Sequence, residues 1–131
     1  AQNPDLILDG AHNPDGALAL RKALDKYYSG KKVHFVFGMM GDKDMTNVIQ
    51  TLIKADDVVY TVRADGGARA AEADALATLV GANAVAESDL QTAYHKALDK
   101  AGEDGVVCVC GSLYLVGEFK AMLQREKEQC H

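Results

Sequence analysis

LILDGAHNPDGA, residues 6–17, decides how the rest of the chain is read. Leu6-Ile7-Leu8 is a short apolar strand that ends in an acid, Asp9, and a helical pattern begins soon afterwards, from about Asp15. Gly10 permits a tight turn between the two. Asn13 or Asp15 can cap the helix by accepting from its free N–H groups, and Pro14 suits a first helical turn. Those needs account for Asn13 to Gly16, but not for Asp9 and His12. A carboxylate at a strand's end can bind a ribose hydroxyl pair, as acids do in dinucleotide folds, and a histidine beside a helix start can donate to an anion. Equally, Asp9 can brace the turn and His12 can be a satisfied polar residue.

Working outward, the strand-then-helix unit recurs five times. The first helix runs from Asp15 to about Tyr28 with Ala17, Leu20, Leu24 and Tyr27 on one face, and Ser29-Gly30 stops it. Lys32–Phe37 reads as a strand, and Asp44 caps a helix striped by Met45, Val48, Ile49, Leu52 and Ile53. Asp57–Val62 is the third strand, and an alanine-rich helix runs from about Ala70 to Val80, closed by Gly81. Asn83–Ala86 is a weak fourth strand, Ser88 caps a helix carrying Leu90, Ala93, Tyr94, Ala97 and Leu98, and Gly105–Cys110 is the fifth strand. Ser112 opens the last helix, which reaches about Lys127. Strands that are continuous apolar runs, alternating with helices, predict an α/β, three-layer Rossmann-like domain: a mostly parallel sheet of about five strands with helices on both faces. In such sheets ligands bind beyond the carboxyl ends of the strands. The unusual loops Asp9–His12, Gly38–Asp44, Arg63–Arg69 and Gly111-Ser112 therefore share one rim.

Composition sets limits on this picture. The 131 residues fit one domain, 48% are apolar and 25% charged, and the formal net charge is −5. No basic stripe offers a grip on nucleic-acid phosphates, and no apolar run approaches the ~18 residues of a membrane span. Three cysteines without a Cys-x-x-Cys pair suggest reduced thiols in a cytoplasmic protein rather than a zinc or disulfide framework. Cys108 and Cys110 fall two apart in a strand and so share a face. The opening Ala-Gln-Asn-Pro, without Met or a charged-then-apolar leader, reads as part of something longer.

The remaining loops carry weaker signals. In GMMGDKD, residues 38–44, Asp42 and Lys43 are either a solvated pair or, on a ligand-facing rim, Lys43 approaches a carboxylate or phosphate. Arg63 and Arg69 flank glycines and could bind an anion bidentately. Ser112 follows Gly111 at a helix N-cap, where free N–H groups and the helix dipole favour an anion; taken alone it is an ordinary cap. There is no G-x-x-x-x-G-K-[ST] loop, no G-x-G-x-x-G after a strand and no G-x-S-x-G elbow. His34, His95 and His131 carry no assigned chemistry.

LILDGAHNPDGA, FGMMGDKD and VCGSLYLVGEF, in that order, resemble the C-terminal domain of the folylpolyglutamate synthase family (dihydrofolate synthase in bifunctional bacterial members), within the Mur ligase superfamily. The resemblance covers essentially all 131 residues. The D-x-A-H-N-P element is common to the superfamily and G-S-L-Y-L-V-G is more particular to the folate branch. It implies ATP-dependent amide formation: a folate γ-carboxylate (or a pteroate carboxylate) is phosphorylated, and the amine of L-glutamate attacks the acyl phosphate. It implies that Asp9 contacts ATP, that His12 and Ser112 meet the incoming glutamate, and that Lys43 is a lesser candidate on the same side. The partner it implies is an N-terminal P-loop domain of the same parent chain, which holds the Mg²⁺ ligands, a modified lysine and an arginine that reaches the phosphates. None of these lies within residues 1–131, which are then a single C-terminal ligase domain, monomeric and without turnover on its own.

A reading from another class is a stand-alone flavodoxin- or receiver-like α/β module that binds a small anion or a protein. Five β–α units suit it. A receiver needs a phospho-acceptor after its third strand, where this chain has Thr61-Val62-Arg63.

Overall fold

VHFVF and VVCVC, apolar apart from His34, show no alternation, which suits strands covered on both faces. In the computed structural model, which describes residues 4–41, 44–64 and 69–129, these are β2 (Val33–Phe37) and β5 (Val106–Cys110), and every residue of both is buried. They lie side by side within one sheet. β1 (Asp5–Asp9) flanks β5, while β3 (Val58–Thr61) and then β4 (Ala84–Ala86) extend the sheet from β2, giving the order β1-β5-β2-β3-β4. All four pairings are parallel, so the sheet is wholly rather than mostly parallel. This order differs from the 2-1-3-4-5 of flavodoxin- and receiver-like domains, which sets that alternative aside.

The order of strands dictates the layers. From β1 through β2 and β3 to β4 the chain steps one way across the sheet, and from β4 to β5 it steps back. With right-handed crossovers, the first three helices must cover one face and the fourth the other. Accordingly α1 (Pro14–Tyr27), α2 (Met45–Leu52) and α3 (Ala73–Val80) bury Ala17, Leu20, Leu24, Val48, Leu52 and Leu76 against Phe35, Phe37 and Cys108. On the opposite face α4 (Leu90–Ala101) and α5 (Leu113–Gln129) bury Ala93, Tyr94, Ala97, Leu115 and Phe119 against Val36, Val107 and Val109. Phe119 meets Tyr94 edge-on at 4.8 Å between ring centroids. Each large side chain so buried contributes about 1.5–3 kcal/mol relative to exposure. Cys108 and Cys110 do share a face, that of α1.

At the amino ends of the strands, the layers are tied by a buried ion pair. Arg21 falls on the apolar face of α1, and its Nη1 donates to Asp57 Oδ2 at 2.8 Å and to the Leu52 carbonyl at 3.0 Å. Asp57 also accepts from the N–H groups of Val33 and Lys54, both at 3.0 Å. One carboxylate thus joins the starts of β2 and β3 to α1 and the end of α2.

The helix starts resolve one open choice and correct other expectations. Asn13, not Asp15, caps α1, its side-chain oxygen accepting from Gly16 N at 2.8 Å. Asp89, not Ser88, caps α4, where a carboxylate accepting from Thr92 N gains from the helix dipole. α3 begins at Ala73 rather than near Ala70, because Ala70 bridges Met40 and Ala71 donates to the Met39 carbonyl. Tyr27 is 70% exposed rather than part of the buried face of α1. Asp44 caps α2 as expected.

Candidate functional site

At the carboxyl ends of β1 and β5 the chain leaves toward opposite faces, β1 into α1 and β5 into α5. Loops that diverge in this way leave a crevice between neighbouring strand tips, the usual ligand position in open α/β sheets. The register pairs Asp9 with Cys110 and Phe37 with Cys110, so the tips of β1, β5 and β2 end level with one another. Gly111, at φ +107°, turns the chain here, and a β-carbon on it would collide with the Gly38 carbonyl.

Each side chain on this rim is held by its own turn. Asp9 Oδ1 accepts from Ala11 N at 2.8 Å. His12 Nδ1 donates to the Gly10 carbonyl at 2.9 Å. A carbonyl oxygen can only accept, so this bond puts the proton of the neutral ring on Nδ1 and leaves Nε2 with its lone pair. Ser112 is buried, and its Oγ accepts from Tyr114 N at 3.1 Å while its carbonyl accepts from Val116 N. It is therefore the cap of α5, with its own O–H left to donate outward.

His12 and Ser112 meet in one hollow of about 170 Å³, lined also by Met40, Leu113 and Tyr114. Its polar groups, His12 and Ser112, lie at helix starts that favour an anion, and its other lining residues are largely apolar. Such a hollow suits a small carboxylate on an aliphatic stem. Asp9 stands on the neighbouring strand tip but lines a different hollow, beside Leu20, Leu24 and Tyr27. Lys43 lies outside the described residues. Met40, Leu113 and Tyr114 were not singled out as site residues from the sequence. The signal for them comes only with the fold: Leu113 and Tyr114 are 68% and 59% exposed, apolar residues in a first helical turn that the core does not use.

Met40 is fixed from the far side. It bridges Ala70, and Gly41 N donates to the Arg69 carbonyl at 2.5 Å, so the loop after β3 braces the loop after β2. Cys110, just below Gly111, supplies no nucleophile: contact with Cys108 and complete burial push its thiol well above the usual range. Among the described residues, no group of three or more His, Cys, Asp or Glu side chains could hold a metal ion.

A family model, the glutamate ligase domain of Mur ligases, matches residues 1–113. The folylpolyglutamate synthase of Lacticaseibacillus casei is 30% identical over 126 residues, covering 94% of this chain and 28% of that protein. The crystal structure of a bifunctional folylpolyglutamate synthase/dihydrofolate synthase from Yersinia pestis, complexed with AMPPNP and Mn, superposes with a TM-score of 0.84 at 36% identity over 95% of this chain and 30% of its own. A second structure of a bifunctional folylpolyglutamate synthase/dihydrofolate synthase, with Mn, AMPPNP and L-glutamate bound, matches with the same TM-score of 0.84 and 36% identity. The chain thus spans less than a third of the length of these relatives.

Proposed function

This chain belongs to the Mur ligase family through its glutamate ligase domain, and from that premise we propose that it is the amino-acid-receiving domain of an ATP-dependent ligase that adds L-glutamate to the γ-carboxylate of a folate. The observation that carries the proposal is the meeting of His12 and Ser112 in one hollow across the β1–β5 crevice. Similarity to a synthase solved with L-glutamate and a nucleotide analogue supports both substrate classes.

In this reading the Ser112 hydroxyl and the start of α5 receive a carboxylate of glutamate. The ring of His12, fixed by the Gly10 carbonyl, presents Nε2 to the same molecule. The apolar walls take the methylene stem. Held there, the glutamate amine is aimed at the acyl phosphate of the folate: its nitrogen attacks the acyl carbon and phosphate leaves. Most of the rate then comes from positioning. Asp9 carries the nucleotide contact, with the carboxylate oxygen not engaged by Ala11 N available to a ribose hydroxyl. Lys43 would add a charge on the glutamate side. The phosphate-binding loop and the Mg²⁺ that neutralises developing phosphate charge belong to the remainder of such a ligase, a separate P-loop domain with which this rim forms the complete site.

Steady-state ligation kinetics on the complete ligase chain test the assignment. Ser112→Ala should raise KM for L-glutamate at least about tenfold, the worth of one hydrogen bond to a charged group, while leaving KM for ATP in place. Asp9→Ala should do the reverse. Unaltered kinetics for both variants would remove the assignment.

A further inference from the structure

Leu113 is the first residue of α5 and is 68% exposed, so little of it is stabilised by burial. Its side chain nevertheless has a definite seat. It lies across Gly10, with Cδ2 too close to the place of a β-carbon to admit one, Cγ 3.0 Å from that place and the Leu113 Cα 3.8 Å from it. The backbone of Gly10 is not in the left-handed region, so the turn itself would accept an L-residue. What excludes a side chain at this position is Leu113. The carbonyl of the same Gly10 accepts from His12 Nδ1 at 2.9 Å. Gly10 is thus a bearing between two loops: it fixes the imidazole through its carbonyl, and it stops the residue that follows Ser112.

We propose that Leu113 is a positioning residue for the amino-acid hollow, holding the start of α5 against Gly10 so that Ser112 and His12 address one ligand together. This rests on the reading of His12 and Ser112 as the glutamate-binding pair. It also explains an exposed leucine beside a polar pair at the helix start. Gly10→Ala isolates the contact. The backbone tolerates alanine there, and the obstructing atoms belong to the far end of an exposed side chain that has room to swing away. The fold is therefore kept while the seat is lost.

The test is steady-state kinetics on the complete ligase chain. Gly10→Ala should raise KM for L-glutamate about tenfold, the factor set by one displaced hydrogen bond, with kcat and KM for ATP within about twofold. Gly10→Ala combined with Leu113→Ala should match Leu113→Ala alone, because the new methyl group then has nothing to move. A general loss of folding would lower kcat as well and would not show this non-additivity. In the 131-residue chain, a nuclear Overhauser contact between a Leu113 δ-methyl group and the Gly10 α-protons should be present. The inference is overturned if Ser112→Ala raises KM for glutamate and Gly10→Ala does not, or if the two substitutions simply add. If Ser112→Ala and His12→Ala both leave that KM unchanged, the glutamate reading falls, and this inference with it.

Discussion

Replacing Gly111 by alanine tests whether the crevice is built as described. Gly111 sits at φ +107°, and its missing β-carbon would be driven into the Gly38 carbonyl and against Phe37 Cε1 at 3.0 Å. Two costs follow. A non-glycine residue held in that backbone region loses about 1–3 kcal/mol, and forcing a methyl group into a packed site loses about 1–3 kcal/mol more. The Gly38 backbone has little freedom to retreat, because its N–H donates to the Cys110 carbonyl at 3.3 Å and the adjacent Phe37 carbonyl accepts from Val62 N at 2.9 Å. The sum, roughly 2–6 kcal/mol, is a large share of the ~5–15 kcal/mol that holds a domain folded. Gly30→Ala supplies the control: its φ is +79° but nothing lies within 4 Å, so only the backbone cost of about 1 kcal/mol remains. Urea unfolding followed by circular dichroism measures both. At a slope of ~2 kcal/mol per molar, a loss of ~4 kcal/mol lowers the midpoint by about 2 M for Gly111→Ala, several times the shift of the control. If the two variants lose the same stability, the tip of β5 does not press on β2, and the geometry argued for Ser112 is wrong.

Two other sites give stability predictions. Asp57→Ala should cost about 2–4 kcal/mol, because it leaves the N–H groups of Val33 and Lys54 without their acceptor and takes one of two carboxylates from Arg21, which keeps Asp25. Arg21→Met should cost less, since Asp57 keeps both N–H donors; chemical denaturation giving the opposite ranking would refute the account. His34 is buried in β2, and burial holds its pKa below the usual 6.5; Lys32 and Lys100 push the same way, against the Val106 carbonyl and Asp57. The unfolded chain then binds a proton that the folded chain resists. The His34 contribution to stability is therefore full above about pH 6.5 and declines as pH falls below it. Urea midpoints between about pH 5 and pH 7 should drop for the natural chain and stay flatter for His34→Gln; parallel curves would show that His34 is not the group responsible.

The layers were legible because β2 and β5, apolar apart from His34, show no alternation and can only be interior strands. The strand order was not legible. Local patterning shows that β5 is buried but not that it inserts between β1 and β2, a matter of long-range packing that no window of sequence contains. The cap of α1 was left open between Asn13 and Asp15, and that of α4 was placed one residue early, at Ser88, because a one-residue shift decides which oxygen reaches the free N–H. The start of α3 failed for another reason: Ala70 and Ala71 have helical propensity but are claimed by the bridge to Met39 and Met40.

For the site, the sequence supplied the residue types and the topology supplied their meeting. Asp9, His12 and Ser112 all fall at strand tips, which places them on one rim in any parallel sheet. Only the insertion of β5 beside β1 brings His12 and Ser112, a hundred residues apart in sequence, to one hollow. Had β5 instead followed β4 at the far edge, three strands would separate Ser112 from His12. The backward step from β4 to β5 creates the crevice, since it alone sends neighbouring loops to opposite faces beside β1. The same step places Leu113 over Gly10. The apolar residues lining the hollow escaped notice because hydrophobic patterning assigns a leucine or tyrosine to a core by default. Their exposure becomes informative only once the fold shows that Leu115 and Phe119, not Leu113 and Tyr114, form the buried face of α5.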